Sequence, residues 1–144
     1  MKKVARFLAI DLGGRRTGLA LGDSLTNIVA PIGVIEAAKG PALLAALKQS
    51  IDEAAPDEIV IGLPLNMDGS EGAAAKAARE FAVEIGKLTS KPVHLHDERL
   101  TTFEADSRMA QSGRTHAQKK ELRDALAAAA LLEDFLRVRT AGQS

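Results

Sequence analysis

Four acidic positions in this chain carry the types and placement that hold a divalent cation: Asp11, the adjacent Asp97 and Glu98, and Asp124. Asp11 interrupts the apolar run Val4 to Leu12, which is otherwise charged only at Arg6. Such a run reads as a strand buried on both faces. A carboxylate inside it is costly unless something compensates its charge. A bound cation is one compensator. Arg15 and Arg16, just beyond the Gly13-Gly14 turn, are another. Asp97-Glu98 closes a later strand, and strand ends are where α/β sheets collect ligands. At about 100° per residue, Asp124 shares the apolar arc of the last helix with Ala128, Leu131 and Phe135, so it points toward the sheet. Hard oxygen donors of this kind suit Mg²⁺ or Mn²⁺ rather than zinc. A pair of such ions activates water and stabilises the leaving oxygen in phosphodiester cleavage.

Cations and polar loops lie near these acids. Arg15, Arg16 and Arg99, with the basic stretch Arg114, His116, Lys119, Lys120 and Arg123, suit a phosphate backbone. The loop from Gly62 to Ser70 contains Asn66, Gly69 and Ser70 and runs straight into a helix whose N-terminus suits a phosphate. Each feature alone has a plainer reading. Asp11 pairs with an arginine, Asp97-Glu98-Arg99 is an ion pair with a helix cap, and Asp124 pairs with Arg123 or Lys120. Lys119-Lys120 is a solvated face, and Asn66 with Asp68 forms a turn. His94 and His96 alternate like a metal pair, but no third histidine is near. A Ser-His-Asp arrangement is absent, and Gly69-Ser70 lacks the lysine of a phosphate loop.

The elements that position these residues follow from period and punctuation. Strands are expected at Val4–Leu12, about Thr17–Leu21, Ile28–Ile35, Glu58–Gly62 and Lys91–Asp97. The first two form an antiparallel hairpin across a glycine turn that permits φ > 0. The third, with Pro31 and Gly33, suits a sheet edge. Helices are expected from Gly40-Pro41 to about Ala54, from Glu71 to Leu88 with Ser70 or Asp68 as cap, from the Thr101/Glu104 capping box to about Gln111, and from about Ala117 to Arg137. Ser112-Gly113 separates the last two. The order β-β-β-α-β-α-β-α-α points to a mixed five-stranded α/β sheet with helices on both faces. One domain spanning 1–144, with an ordered core over about 4–138, is the expectation.

Composition narrows the partners. The 144 residues carry a net charge of +0, so polyanion binding must come from local clusters. Tyr and Trp are absent and Phe numbers only 4, which argues against rows of stacked bases. With no cysteine, disulfides and thiolate chemistry are excluded. No apolar run approaches the ~20 residues of a membrane span, and no signal-peptide pattern follows Met1, so a cytoplasmic location without membrane partners is expected.

Taken together, Asp11-Leu-Gly-Gly-Arg-Arg-Thr-Gly-Leu-Ala, Ile61-Gly-Leu-Pro-Leu-Asn-Met-Asp-Gly-Ser70, Asp97-Glu-Arg-Leu-Thr-Thr102 and Asp124-Ala-Leu-Ala-Ala resemble the bacterial YqgF (RuvX) family, in order and from about Phe7 to Leu136. The resemblance implies a ribonuclease H-like fold with sheet order 3-2-1-4-5 and the first three strands antiparallel. It implies a metal-dependent nuclease maturing the 5′ end of precursor 16S ribosomal RNA, with Mg²⁺ or Mn²⁺ on Asp11, Glu98 and Asp124. It favours Glu98 over Asp97, which the residues alone leave open. Gly13, Arg15, Arg16, Asn66, Gly69, Ser70, Arg99, Thr101, Thr102, Lys119 and Lys120 are the phosphate-binding candidates. Arg15, Thr17 and Gly22 depart from the residues common in the family, and none is an acid of the site. In that sheet order Asp11 and Glu98 stand two strands apart, roughly 9–10 Å between axes.

Structured RNA is the expected partner, with the ribosomal subunit or assembly factors as further ones and the chain a monomer or weak homodimer. A junction resolvase acting on branched DNA is the alternative within the same chemistry. A non-catalytic ribosome-assembly or RNA-binding factor is the alternative of another class. Actin and sugar-kinase folds share the early Asp-x-Gly turn, but this chain is too short for their second domain.

Overall fold

The computed structural model describes residues 4–99 and 116–142, without the side chains of 116–121, 141 and 142. The strands are β1 (Arg6–Leu12), β2 (Arg16–Asp23), β3 (Val29–Glu36), β4 (Glu58–Leu63) and β5 (Val93–Asp97). The helices are α1 (Pro41–Ala54), α2 (Ala73–Thr89) and α3 (His116–Gly142). The expected helix over 101–111, its capping box and the break at Ser112-Gly113 lie outside the described residues.

The sheet has the order β3-β2-β1-β4-β5, as the resemblance implies. β1 and β2 pair antiparallel, as do β2 and β3, whereas β4 runs parallel to both β1 and β5. β3 is the edge expected from Pro31 and Gly33. Its pairing skips Ile32, because Leu19 faces Gly33 and Ala20 faces Pro31. That extra residue is a bulge, which re-aims a strand and discourages further pairing at the edge.

Alternation along the strands sends successive side chains to opposite faces. Leu8, Ile10, Leu19, Ile59 and Ile61 pack on one face against Leu43, Leu47 and Ile51 of α1 and Phe81, Ala82 and Ile85 of α2. The helical spacing of these residues is what lets each helix bury a single stripe. Phe7, Ala9, Ala20 and Val60 pack on the other face against Ala128, Ala129, Leu131, Leu132 and Leu136 of α3. Asp11, in phase with Phe7 and Ala9, belongs to the α3 face.

Helix α3 comes very close to β2 because both surfaces are small. On its α3 face β2 presents Gly18, Ala20 and Gly22. A Cβ on Gly18 would overlap the backbone carbonyl of Asp124, and one on Gly22 would stand 3.2 Å from Leu132 Cδ2. The alanines of α3 set this short approach.

Several boundaries differ from the sequence pattern. α2 starts at Ala73 after Gly72 and has no side-chain cap, so neither Ser70 nor Asp68 fills that role. Their polar groups are spent on each other: Ser70 N and Oγ both donate to Asp68 Oδ1, at 2.9 and 2.6 Å. Neither Gly13 nor Gly14 adopts positive φ. Gly13 is needed for space instead, since a Cβ there would overlap the carbonyl of Arg16. α1 opens at Pro41 behind Gly40, whose φ of 139° suits glycine. No helix among the described residues is long and apolar enough to cross a membrane.

Among the described residues a polar side chain sits in the core. Thr17 is fully buried on the α1/α2 face and its Oγ1 has no hydrogen-bond partner. Leaving a buried hydroxyl unpaired costs about 1–3 kcal/mol. Thr17→Val keeps the shape and removes the misfit, so it is expected to raise unfolding free energy by about 1 kcal/mol, read from urea unfolding midpoints at unchanged slope.

Candidate active site

The hairpin register sets Asp11 opposite Gly18 of β2. On the other side β1 pairs with β4 up to Ile10 and Ile61, so the next residue of β4, Gly62, lies level with Asp11. The acid of the central strand is thus flanked by a glycine on each neighbouring strand, all on the α3 face. Each glycine admits something that a side chain would block.

Gly62 admits Glu98. The last residue of β5, Asp97, pairs with Leu63, and Glu98 N continues the ladder by donating to Leu63 O at 3.3 Å. Glu98 then returns to the α3 face and its side chain lies across β4. A Cβ on Gly62 would collide with Glu98 Oε2 and stand 3.3 Å from Glu98 Cβ. The two-strand gap between Asp11 and Glu98 is closed in this way, and their carboxyl groups form a hydrogen bond.

That bond needs a proton, because two carboxylates can only accept. Burial and the neighbouring Asp11 charge push Glu98 up to about 8. Burial also raises Asp11, partly offset by the hydrogen bond from Glu98, while the Asp124 charge raises it further. Near neutral pH Glu98 therefore carries the proton and donates to Asp11. Asp97 is different: it faces away, its Oδ2 lies 2.7 Å from Arg99 Nη2, and that arginine holds it below the usual carboxylate range.

Gly18 admits the backbone of α3 at Asp124. The Asp124 side chain stands on the sheet side of the helix, as its place on the apolar arc predicts. Its Oδ2 lies 3.1 Å from Arg16 Nε. The arginine pairing that is the plainer reading of Asp11 is made by Asp124 instead, while Asp11 takes Glu98. Among the described residues no three His, Cys, Asp or Glu side chains form a ready-made cation cluster. Two of the three acids meet directly, and the third is held by Arg16.

The other candidates fall into separate settings. Arg15 is exposed beside the hairpin tip, on a cleft lined by Arg15, Arg16, Glu36, Ala37 and Ala38. Arg99 is engaged by Asp97 and donates through Nη1 to Met67 O at 3.3 Å, tying the 64–70 loop to the end of β5. Asn66, Gly69 and Ser70 are exposed and fold that loop on itself. Asn66 Nδ2 donates to Ser70 Oγ at 3.0 Å, and Gly69 N donates to Asn66 O at 2.8 Å. Thr101, Thr102 and Arg114 lie outside the described residues, as do the side chains of His116, Lys119 and Lys120. His94 and His96 form no metal pair with each other: they stand 2.6 Å from Glu58 and from Asp134 respectively.

Gly18 and Gly62 are the residues of the site that motif reading passed over. Glycine within a strand pattern is itself the signal, since it marks close approach of a backbone or ligand.

A mixed sheet of this order, with helices on both faces, defines the ribonuclease H-like class. Solved structures that share the fold include two bound to junction DNA. Thermus thermophilus RuvC in complex with a Holliday junction substrate superposes with a TM-score of 0.59 at 16% identity, over 94% of this chain and 96% of that one. Fowlpox virus resolvase with Holliday junction DNA gives 0.60 at 11% identity, over 93% and 98%.

Within that class the chain belongs to the RuvX family, whose model, described as Holliday junction resolvase, matches residues 5–138. Its relatives include a protein of Anaeromyxobacter sp. (strain Fw109-5), 44% identical over 91% of this chain and 96% of that protein. Another, from Azotobacter vinelandii, is 40% identical over 94% and 95%. Both carry the name "Putative pre-16S rRNA nuclease".

The Asp11–Glu98 pair makes stability depend on pH in a definite direction. Between 4.5, the ordinary value for glutamate, and about 8, the folded chain keeps a proton on Glu98 that the unfolded chain has lost. Stability then falls as pH rises through that window. Glu98→Gln is expected to flatten the fall. Gly62→Ala is expected to flatten it as well, with Glu98 intact, by displacing the carboxyl from Asp11. Urea unfolding of the three proteins at several pH values, without divalent cations, reads the effect. An unchanged slope in Gly62→Ala would refute the crossing of Glu98 over β4.

Proposed function

We propose that this chain is a metal-dependent nuclease that hydrolyses phosphodiester bonds in precursor 16S ribosomal RNA, with Asp11, Glu98 and Asp124 as its metal-binding carboxylates. One observation carries the reading: Glu98 is brought across Gly62 onto Asp11. Placing two buried acids against each other is unfavourable without a compensating charge. A structural role gains nothing from it, which weighs against a non-catalytic RNA-binding factor.

The donor set fits a hard divalent cation, Mg²⁺ or Mn²⁺. Such a cation, when bound, supplies charge neutralisation at the scissile phosphate and activation of water. The chain's residues supply the rest. Asp11 is fixed by the central strand, and Glu98 loses its proton to become a second anionic donor. Asp124 brings a third carboxylate from α3. Arg15 and Arg16 border the cleft at the hairpin tip, and Arg16 reaches Asp124 from there, so that the two orient the phosphate backbone. With a net charge of +0 on the whole chain, binding rests on such local cations.

The substrate follows from the names of the relatives, read as pre-16S rRNA nucleases. Branched DNA is the second reading, favoured by the description of the matching family model. Resolving a junction needs two active sites on two strands, so that reading requires a stable symmetric dimer.

Cleavage of a 5′-extended precursor 16S RNA fragment and of a four-way DNA junction, with Mg²⁺, Mn²⁺ or EDTA, tests both. RNA cutting that needs the cation is expected. Asp11→Asn is expected to lower it by more than about 100-fold, the upper range for groups that merely orient ligands, with the fold retained by circular dichroism. Junction cutting alone, by a dimer, would replace the RNA reading. Full activity of Asp11→Asn would refute the site.

A further inference from the structure

The contact between Arg16 and Asp124 has a direction that the nuclease reading alone does not explain. The backbone of Asp124 cannot come closer to the sheet, because α3 is seated on Gly18 at that residue. What it can change is its side chain. Its carboxylate is close enough to Asp11 to raise that group's affinity for a proton, yet its buried Oδ2 lies at ion-pair distance, 3.1 Å, from Arg16 Nε. One short side chain therefore stands between a guanidinium and the acid pair.

Arg16 also borders a cleft. It starts β2 on the α3 face, and it lines the open cleft beside the hairpin tip together with Arg15. Its side chain is 31% exposed, so a ligand in the cleft can reach the guanidinium. Guanidinium binds phosphate in bidentate fashion and is the preferred partner wherever that geometry is on offer.

Resting on the metal-dependent reading above, we infer that Arg16 is a phosphate-operated latch on the third carboxylate. Without nucleic acid, Arg16 holds Asp124 on its own side and the cation site is one ligand short. A backbone phosphate entering the cleft engages Arg16, and Asp124 turns to Asp11 and Glu98. Substrate and cation then favour each other's binding, by the reciprocity of linked sites. Arg16 is a positioning residue here, acting on the cation through Asp124. The phosphodiester of RNA or of DNA serves equally, since the latch reads only the phosphate.

Mn²⁺ binding to the protein without nucleic acid, followed by the electron paramagnetic resonance of free Mn²⁺, separates the latch from its alternatives. Wild type, Arg16→Gln, Asp124→Asn and the double variant are compared, with folding checked by thermal unfolding. The latch predicts that Arg16→Gln binds Mn²⁺ at least about fivefold more tightly, the lower end of ordinary coupling between sites. It predicts no such gain from Arg16→Gln in the Asp124→Asn background.

An equal gain in both backgrounds would reduce Arg16 to a nearby repelling charge and overturn the latch. A loss of affinity in Arg16→Gln would overturn it too, making Arg16 a support that aims Asp124 inward. Either result leaves the nuclease reading standing, whereas Mn²⁺ binding by none of the proteins would remove both. In the wild type, the Arg16 Nε–H resonance is expected to shift when a 2′-O-methyl RNA oligonucleotide is added. No shift on saturation with that RNA would overturn the phosphate trigger.

Discussion

A carboxyl group in the central strand of a sheet has to be given room and given a partner, and most of this site follows from how Asp11 receives both. The strands on either side of it carry glycine at the level of the acid, Gly18 on β2 and Gly62 on β4. The missing side chains leave two openings beside Asp11. A helix backbone fills one and a glutamate fills the other. Three acids that are distant in sequence are thereby brought to one face of the sheet.

The same packing assigns different duties to neighbouring charges. Asp97 and Glu98 are adjacent, but strand alternation turns them to opposite faces. Asp97 pairs with Arg99 and anchors the end of β5, while Glu98 crosses to Asp11. Arg16 answers Asp124 rather than Asp11, so the central acid is left to a proton that a cation can displace. Scaffold and chemistry share these residues: Arg99 holds the 64–70 loop through Met67 O, and that loop satisfies its own polar groups by internal hydrogen bonds.

Much of this was legible in the sequence, for identifiable reasons. The strands could be read because they are buried on one or both faces and bounded by Gly and Pro, and the edge position of β3 because Pro31 spoils a central ladder. Asp11 stood out as a charge in an apolar run, and Asp124 as an acid on the apolar arc of a helix. The strand order and the choice of Glu98 came with the family resemblance. The physical route from Glu98 to Asp11 was not legible, because it depends on what Gly62 omits. The cap expected from Ser70 or Asp68 failed because those groups satisfy each other, an equally local use of the same atoms. Gly13 is needed for clearance from the Arg16 carbonyl, which only the closed hairpin reveals.

The central claim is that Glu98 lies across β4 in contact with Asp11 and shares its proton there. Titration of the Glu98 side-chain carboxyl carbon by NMR, in the absence of divalent cations, tests it most directly. The account predicts an ionisation near pH 8, the value to which burial and Asp11 push this group. Titration at the ordinary glutamate value of 4.5 would contradict it, placing Glu98 in solvent and the acids of the site apart.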